Sequence, residues 1–338
     1  MLSLTCVGVR ISKNKSYRNY IGEKSIMKIT KKKTAIGAAI IIALIVIGFI
    51  MKPKPAEAAN MEVYGSLNYM LSNNEDANGV STSKAENNGS SIGANFSQDI
   101  AEGVNGFATL EVDIDADDSG SNPFDSKLAF AGVDMGTAGI ISAGRQNSVF
   151  KGAVTSKTDA FPEYGNGAAQ KLFSRDSHTV VYSNTFGAIQ LDNLIKVDGT
   201  TGKSGVDVYE TAASVDVSDN LNLGIAYTDD KVNSVKYTGA GVSYAVSDAT
   251  TVGYTHTIKD AETTNLTTTA NEVVASHLVD DTTYSIGYGK VEDGAAYTTV
   301  GAEKKIGENF SMYGAFEMTD PASGVDTQDA AVGIKFTF

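Results

Sequence analysis

Apolar and polar side chains alternate one for one along much of the chain after residue 60. In residues 108–114, Ala, Leu, Val and Ile alternate with Thr, Glu and Asp, and segments 209–217, 310–318 and 332–338 repeat the pattern. A period of two is that of a β-strand with one apolar and one polar face. None of these segments shows the 3.6-residue period of an amphipathic helix. The pattern predicts an all-β fold.

Sixteen strands are predicted, separated by clusters of Gly, Asn, Asp and Ser. They are expected to begin near residues 61, 90, 106, 126, 139, 177, 188, 206, 220, 234, 250, 271, 282, 296, 309 and 330. Long connections are expected at 72–89, 116–125, 147–174, 198–205, 259–270 and 319–328, and short turns at 218–219, 247–249 and 306–308. Long loops alternating with short turns, together with an even strand count, indicate a transmembrane antiparallel β-barrel.

The final strand, residues 331–338, has an apolar face formed by Val332, Ile334, Phe336 and Phe338. An unpaired edge of this kind promotes aggregation, and a barrel in a membrane removes the edge while its apolar face contacts lipid. We therefore expect this strand to pair antiparallel with the first one, around residues 61–71. The ending also resembles the C-terminal signal of bacterial outer-membrane barrels. That resemblance implies that Phe336 and Phe338 are recognised by the outer-membrane assembly machinery.

The N-terminal region has the order of a secretory signal peptide. Four lysines at 28, 31, 32 and 33 precede a 17-residue apolar run, residues 35–51, and Ala56-Glu57-Ala58 forms a small-x-small cleavage site. We predict a signal peptide at 27–58, a mature domain at 59–338 and an upstream mis-start at 1–26. The alternative is a retained transmembrane anchor, since 17 residues is the lower limit of the roughly 17–25 that span a bilayer.

The mature chain would be strongly acidic. Residues 1–58 hold 11 of the 27 Lys and Arg and 2 of the 40 Asp and Glu, which leaves 16 basic and 38 acidic residues, a formal charge of −22. Such a charge argues against nucleic acid as a partner and favours cations, including divalent ions that bridge to lipopolysaccharide at an anionic surface. The single cysteine, Cys6, precedes the mature domain, so no disulfide is expected.

One connection, residues 147–174, is 28 residues long, and loops of this length inside a domain are usually functional. Residues 161–167 of this loop read Phe-Pro-Glu-Tyr-Gly-Asn-Gly. Upstream stand Ser-Lys-Leu-Ala-Phe-Ala-Gly-Val at 126–133 and Gly-Arg-Gln at 144–146. The arrangement resembles the general diffusion porins of Gram-negative bacteria. It implies a homotrimeric sixteen-stranded barrel in the outer membrane, narrowed by an inward-folded third loop, that passes ions and small hydrophilic solutes.

The resemblance further implies a field across the pore, with Asp159 and Glu163 on the loop facing Lys127 and Arg175 on the wall. Glu163 has an alternative role as a carboxylate that fixes the loop. Alternation predicts that Lys127 points inward, since the two apolar residues at 128 and 130 would take the other face. Arg145 and Arg175 are the only arginines after residue 58 and flank the loop. Arg145 either lines the pore or holds the third loop, or a neighbouring subunit's second loop, by a salt bridge.

Two wall positions that are often basic in porins align with Ser66 and Ser91, which predicts a preference for cations. One alternative is a substrate-specific channel of the same fold, with a binding ladder for a sugar or a phosphate. The other is a non-conducting surface barrel acting as an adhesin or an enzyme.

No catalysis is predicted, because the histidines at 178, 256 and 277 are scattered over separate strands and nothing in the sequence gathers a nucleophile, a base and an orienting group around them. No cofactor or metal is predicted either. The acidic run at 113–118 lacks the glycine and the twelfth acidic residue of a calcium loop.

Overall fold

The computed structural model describes residues 58–115, 117, 122–200 and 205–338, so the predicted signal peptide and upstream segment lie outside it apart from residue 58. The strands are β1 Asn60–Glu75, β2 Ser81–Asn87, β3 Ser91–Ala101, β4 Val104–Ile114, β5 Phe124–Asp134, β6 Ile140–Asn147, β7 Arg175–Phe186, β8 Ile189–Lys196, β9 Val208–Ser218, β10 Leu221–Asp230, β11 Val235–Ser247, β12 Thr250–Ala261, β13 Leu266–Val279, β14 Thr282–Val291, β15 Ala296–Lys305, β16 Phe310–Asp320 and β17 Thr327–Thr337. Among the described residues, one short α-helix, α1, covers Val149–Ala153, and single 3-10 turns cover Gly136–Ala138 and Thr155–Lys157. No helix in the described part of the chain has both the length and the apolar character needed to cross a membrane.

The strands form one antiparallel sheet in which each pairs with its sequence neighbour, except that β2 does not pair with β3, and β17 pairs with β1, so the sheet is closed. Both β2 and β3 pair with β1, β2 along its second half and β3 along its first half. They are therefore two parts of a single barrel strand, interrupted at residues 88–90. Counted this way, the described sheet is the predicted sixteen-stranded barrel.

The interruption at 88–90 is a β-bulge held to β1 by Asn68. The Asn68 amide donates to the Ser90 hydroxyl at 2.9 Å, while Ser90 Oγ and the Asn88 amide donate to the Asn68 carbonyl at 3.1 and 2.9 Å. β1 and β2 continue as a hairpin up to a turn at 76–80, so the prediction of a long loop at 72–89 was wrong. A bulge adds one residue to a strand and breaks the alternation, which is how it escaped the sequence pattern.

The expected long loop at 259–270 was also wrong. β12 continues to Ala261 and β13 begins at Leu266, which leaves a four-residue turn. This stretch is rich in Thr and polar on both faces, and a strand that extends beyond the bilayer needs no apolar face. Alternation therefore could not reveal it.

The final strand closes the barrel as predicted. Thr337 lies opposite Ser66, the Phe338 amide donates to the Gly65 carbonyl at 3.0 Å, and the Gly65 amide donates to the Phe338 carbonyl at 2.9 Å. Val332 is 58% exposed whereas Ala331 is 3% exposed. The two faces thus differ as expected, with large apolar side chains outside and small or polar ones inside.

Candidate functional site

The segment between β6 and β7, residues 148–174, lies against the inner face of the wall and is called the long loop below. It begins with α1, whose N-terminus is capped by Ser148 Oγ accepting from the Lys151 amide at 3.2 Å. The fully buried Phe150 of α1 then packs with Ala153 and Val154 against Ala212, Ala226 and Tyr237 of β9–β11. Burial of this apolar group fixes the first arm of the loop on the wall.

Two glycines allow the backbone of this arm to approach the wall closely. A Cβ on Gly224 would lie 1.9 Å from the Ala153 carbonyl oxygen, and a Cβ on Gly253 would lie 1.8 Å from the Lys157 carbonyl oxygen. Any side chain at either position would displace the loop. These glycines therefore set how far the loop projects into the lumen.

Three wall carboxylates accept hydrogen bonds from the long loop. Glu210 on β9 accepts from Ser148 Oγ at 2.8 Å, Glu272 on β13 from the Ala168 amide at 2.9 Å, and Glu317 on β16 from the Gly165 amide at 2.9 Å. Hydrogen bonds to ionised acceptors are stronger than neutral ones. The loop, which starts at β6 and ends at β7, is thus attached to the wall at strands spread from β9 to β16.

The loop's tip, residues 161–167, also contacts the first strands. Tyr164 Oη donates to Asn74 Oδ1 at 2.8 Å and Asn88 Nδ2 donates to the Pro162 carbonyl at 3.3 Å. The Tyr164 ring packs on a buried cluster that includes Met70 and Tyr313. The long loop therefore passes from β6 across the inside of the barrel to β1, which narrows the lumen.

The two predicted acidic residues lie on this crossing segment. Asp159 Oδ1 accepts from Asn166 Nδ2 at 3.3 Å. Burial of Glu163 and, next in size, the negative charge of Glu86 raise the pKa of the Glu163 carboxyl, and Glu317 adds to the effect. Within the described residues, neither Asp159 nor Glu163 has a basic side chain at ion-pair distance.

The Lys127 ammonium lies on the inner face, 3.0 Å from Glu111 Oε1 and 3.3 Å from Asp113 Oδ1. The alternation from which this was predicted is nevertheless wrong here. Leu128 is paired with Glu111, and Phe130 with Thr109, so both share the inner face. Lys127 turns inward because the register shifts beside it, which leaves it as the extra residue of a bulge.

Arg175 shares a carboxylate with Lys127. Its Nη1 lies 3.8 Å from Asp113 Oδ2, and its buried Nε has no hydrogen-bond partner among the residues that the structure describes. The structure thus brings the two predicted basic wall residues together, around Asp113 on β4.

Arg145 does not join them. It pairs across the strands with Ala129, its Nε donates to the Ser126 carbonyl at 2.9 Å, and its Nη1 donates to Ser177 Oγ at 3.3 Å. In the described part of the chain it forms no ion pair. These contacts favour a role in holding strand ends over direct lining of the pore.

Ser66 and Ser91, the uncharged positions on the first two strands, lie directly opposite each other and Ser91 is buried. The histidines at 178, 256 and 277 lie on β7, β12 and β13, and the described residues contain no cluster of three side chains suited to a metal ion.

Three site residues, Glu210, Glu272 and Glu317, were not predicted from the sequence. Acidic residues on polar strand faces were visible, but nothing in one sequence shows which of them meet a loop distant in the chain.

A closed barrel with an apolar outer wall, a polar lumen and a loop crossing that lumen is the architecture of a membrane channel. The profile of the Gram-negative porin family matches residues 42–335, and the chain belongs to this family. It is therefore an outer-membrane diffusion channel, in a family and fold of channels rather than enzymes.

Solved porins share the fold at low sequence identity. The anion-selective porin of Comamonas acidovorans is 17% identical, with a TM-score of 0.69, 83% of this chain covered and 100% of that one. OmpF of Salmonella typhi, solved with daunomycin, is 19% identical, with a TM-score of 0.65 and coverages of 82% and 97%. The trimer form of Vibrio cholerae OmpT is 14% identical, with a TM-score of 0.65 and coverages of 83% and 100%. Curated proteins yield no match to this sequence.

Proposed function

We propose that this porin is a passive diffusion channel that prefers cations, and that the long loop forms its constriction. The observation that carries the proposal is the unequal pairing of charges in the described lumen. Glu163 lies near Glu86 and Glu317 without a basic partner, while Lys127 and Arg175 are neutralised by Glu111 and Asp113. The fixed charge around Glu163 is therefore negative, and fixed charge at the narrowest point selects the permeating ion.

The fold leaves the sign of the selectivity open, since an anion-selective porin is among the similar structures. The sign is decided by side chains at the constriction. Ser66 and Ser91 support a cation preference here, because they place no positive charge on the inner face of β1 and β3. The surplus of 38 acidic over 16 basic residues after residue 58 acts in the same direction.

We further propose that residues 27–58 act as a signal peptide that is removed before Ala59, and that 1–26 precede the true start. The mature chain forms a homotrimer, as the trimer form of Vibrio OmpT does. The assembly machinery recognises Phe336 and Phe338, and lipopolysaccharide binds the acidic outer rim through divalent cations.

Planar-bilayer recording of the purified porin tests the proposed function. A KCl gradient should give a reversal potential of the sign set by K⁺, with conductance in steps of three and a linear dependence on salt. Conductance that saturates with one sugar or phosphate would instead indicate a substrate-specific channel. Silence would indicate a non-conducting barrel.

A further inference from the structure

Glu272 is buried in the inner face of β13, only 3% exposed, and both its oxygens are engaged. Oε1 accepts from the Ala168 amide at 2.9 Å, the Ala169 amide at 3.1 Å and Tyr297 Oη at 2.6 Å. Oε2 accepts from Thr158 Oγ1 at 2.9 Å. One carboxylate therefore binds two points of the long loop that are ten positions apart.

Those two points are the ends of a shorter loop, residues 159–167, which carries Asp159 and Glu163. The other wall carboxylates do not act in this way. Glu210 contacts only the start of the long loop, at residues 148–150, and Glu317 contacts only the Gly165 amide in its tip. Glu272 is thus the wall carboxylate that holds together the two ends of residues 159–167, the acidic segment. The place where these ends meet, at residues 158 and 168, is called the neck below.

We infer that Glu272 is a positioning residue for ion selectivity, holding the constriction carboxylates in place without contacting the permeating ion. Removing the carboxylate leaves buried amide and hydroxyl donors unpaired, which favours opening of the neck. Asp159 and Glu163 would then occupy a range of positions, and a charge that is not fixed at the narrowest point discriminates less between ions. The inference rests on the proposed function as far as selectivity is concerned, but the positions of the loop residues can be measured separately.

Two substitutions separate position from charge. In Glu272→Gln the amide oxygen still accepts from Ala168, Ala169 and Tyr297, and the amide NH₂ donates to the Thr158 hydroxyl, so the neck stays closed without the charge. In Glu272→Ala both the charge and the neck are lost. Glu303→Gln is the matched control, because Glu303 lies on β15, accepts from Ser311 Oγ at 2.7 Å and makes no contact with the long loop in the described hydrogen bonds.

The first readout is loop mobility. With Cys6, the single cysteine of the chain, replaced by serine, a spin label at Ala160→Cys, an exposed position inside the short loop, reports on this segment alone. We expect the label to become mobile with Glu272→Ala and to keep the spectrum of the parent with Glu272→Gln and Glu303→Gln. Thr158→Val removes one of the two attachments and, with its small volume change, serves if Glu272→Ala does not fold; it should also increase mobility.

The second readout is the reversal potential in a KCl gradient. The difference in cation preference between the wild type and Glu163→Gln is the part that depends on the charge of Glu163. Glu272→Ala should lose most of this part, and Glu272→Gln should retain it. Equal losses in Glu272→Ala and Glu272→Gln would show that the charge of Glu272 acts directly, which overturns the inference. An immobile label in folded Glu272→Ala and Thr158→Val would also overturn it. A wild type without cation preference would refute the proposed function and leave the mobility result to decide the role of Glu272.

Discussion

The ammonium nitrogen of Lys127 lies 3.0 Å from Oε1 of Glu111, a carboxylate buried in the neighbouring strand. A basic side chain on a porin wall can balance the negative charge of the acidic loop only if no nearby carboxylate neutralises it. Here the nearest carboxylates belong to the same wall, and Asp113 also serves Arg175. The wall around Lys127 is therefore close to neutral, and in the proposed channel the loop carboxylates set the selectivity.

Substitution Lys127→Met should increase the cation preference, because Glu111 and Asp113 lose their compensating charge. The measurement is the reversal potential in a KCl gradient. Lys290→Met is the control, since Lys290 is exposed at the end of β14 on the outer face and its loss removes the same charge outside the lumen. An unchanged potential in Lys127→Met would show that the pair does not influence permeation.

Substitution Glu163→Gln should reduce the cation preference and the single-channel conductance at low salt. The change removes the charge that lies near Glu86 and Glu317, with no basic partner among the described residues, and keeps the volume of the side chain. The effect should decrease as the salt concentration rises, because the Debye length falls from about 10 Å at 0.1 M to about 3 Å at 1 M. A preference that is the same in both proteins at low salt would exclude Glu163 as a selectivity determinant.

The cation preference of the wild type should decline on acidification at a pH above that expected for an ordinary glutamate. Burial and the neighbouring Glu86 raise the pKa of Glu163, so its carboxylate takes up a proton, and becomes neutral, earlier as the pH falls. Titration of the reversal potential from neutral pH downward tests this. The early step should be missing in Glu163→Gln, and its persistence there would assign it to another group.

Substitution Gly253→Ala should displace the first arm of the long loop. The new Cβ would lie 1.8 Å from the Lys157 carbonyl, a contact that only movement of the backbone can relieve. Overpacking of this kind typically costs about 1–3 kcal/mol. Thermal unfolding of the barrel should shift to lower temperature, and open-channel conductance should change.

Gly152→Ala is the control for that prediction. Gly152 lies in α1 of the same arm, its φ is not positive, and an added Cβ there would meet nothing within 4 Å. It should leave the melting temperature and conductance close to those of the wild type. Equal behaviour of the two variants would mean that the arm is not seated on the wall at Gly253.

Much of the barrel follows from alternation. The strands expected near residues 220, 250, 282 and 296 begin at Leu221, Thr250, Thr282 and Ala296, because their outer faces must be apolar in lipid. Alternation failed where that constraint ends or is interrupted. Beyond the bilayer both faces are wet, as in β12 and β13 near residues 259–270, and a bulge changes the face of every residue that follows it, as at Lys127.

The candidate site was predictable only in part, because several of its contacts join residues that are far apart in the sequence. Asp159, Glu163, Lys127 and Arg175 were found through the family resemblance of the long loop. Glu210 and Glu272 lie far from that loop in sequence, and Gly224 and Gly253 are important only because another part of the backbone passes close to them. Contacts of this kind follow from closure of the barrel and have no local pattern.

The most direct test of the account is the reversal potential of the wild-type porin in a planar bilayer separating two KCl solutions. The acidic surroundings of Glu163 at the proposed constriction predict a potential with the sign set by K⁺, reduced by Glu163→Gln and increased by Lys127→Met. A potential with the sign set by Cl⁻ in the wild type would contradict the account.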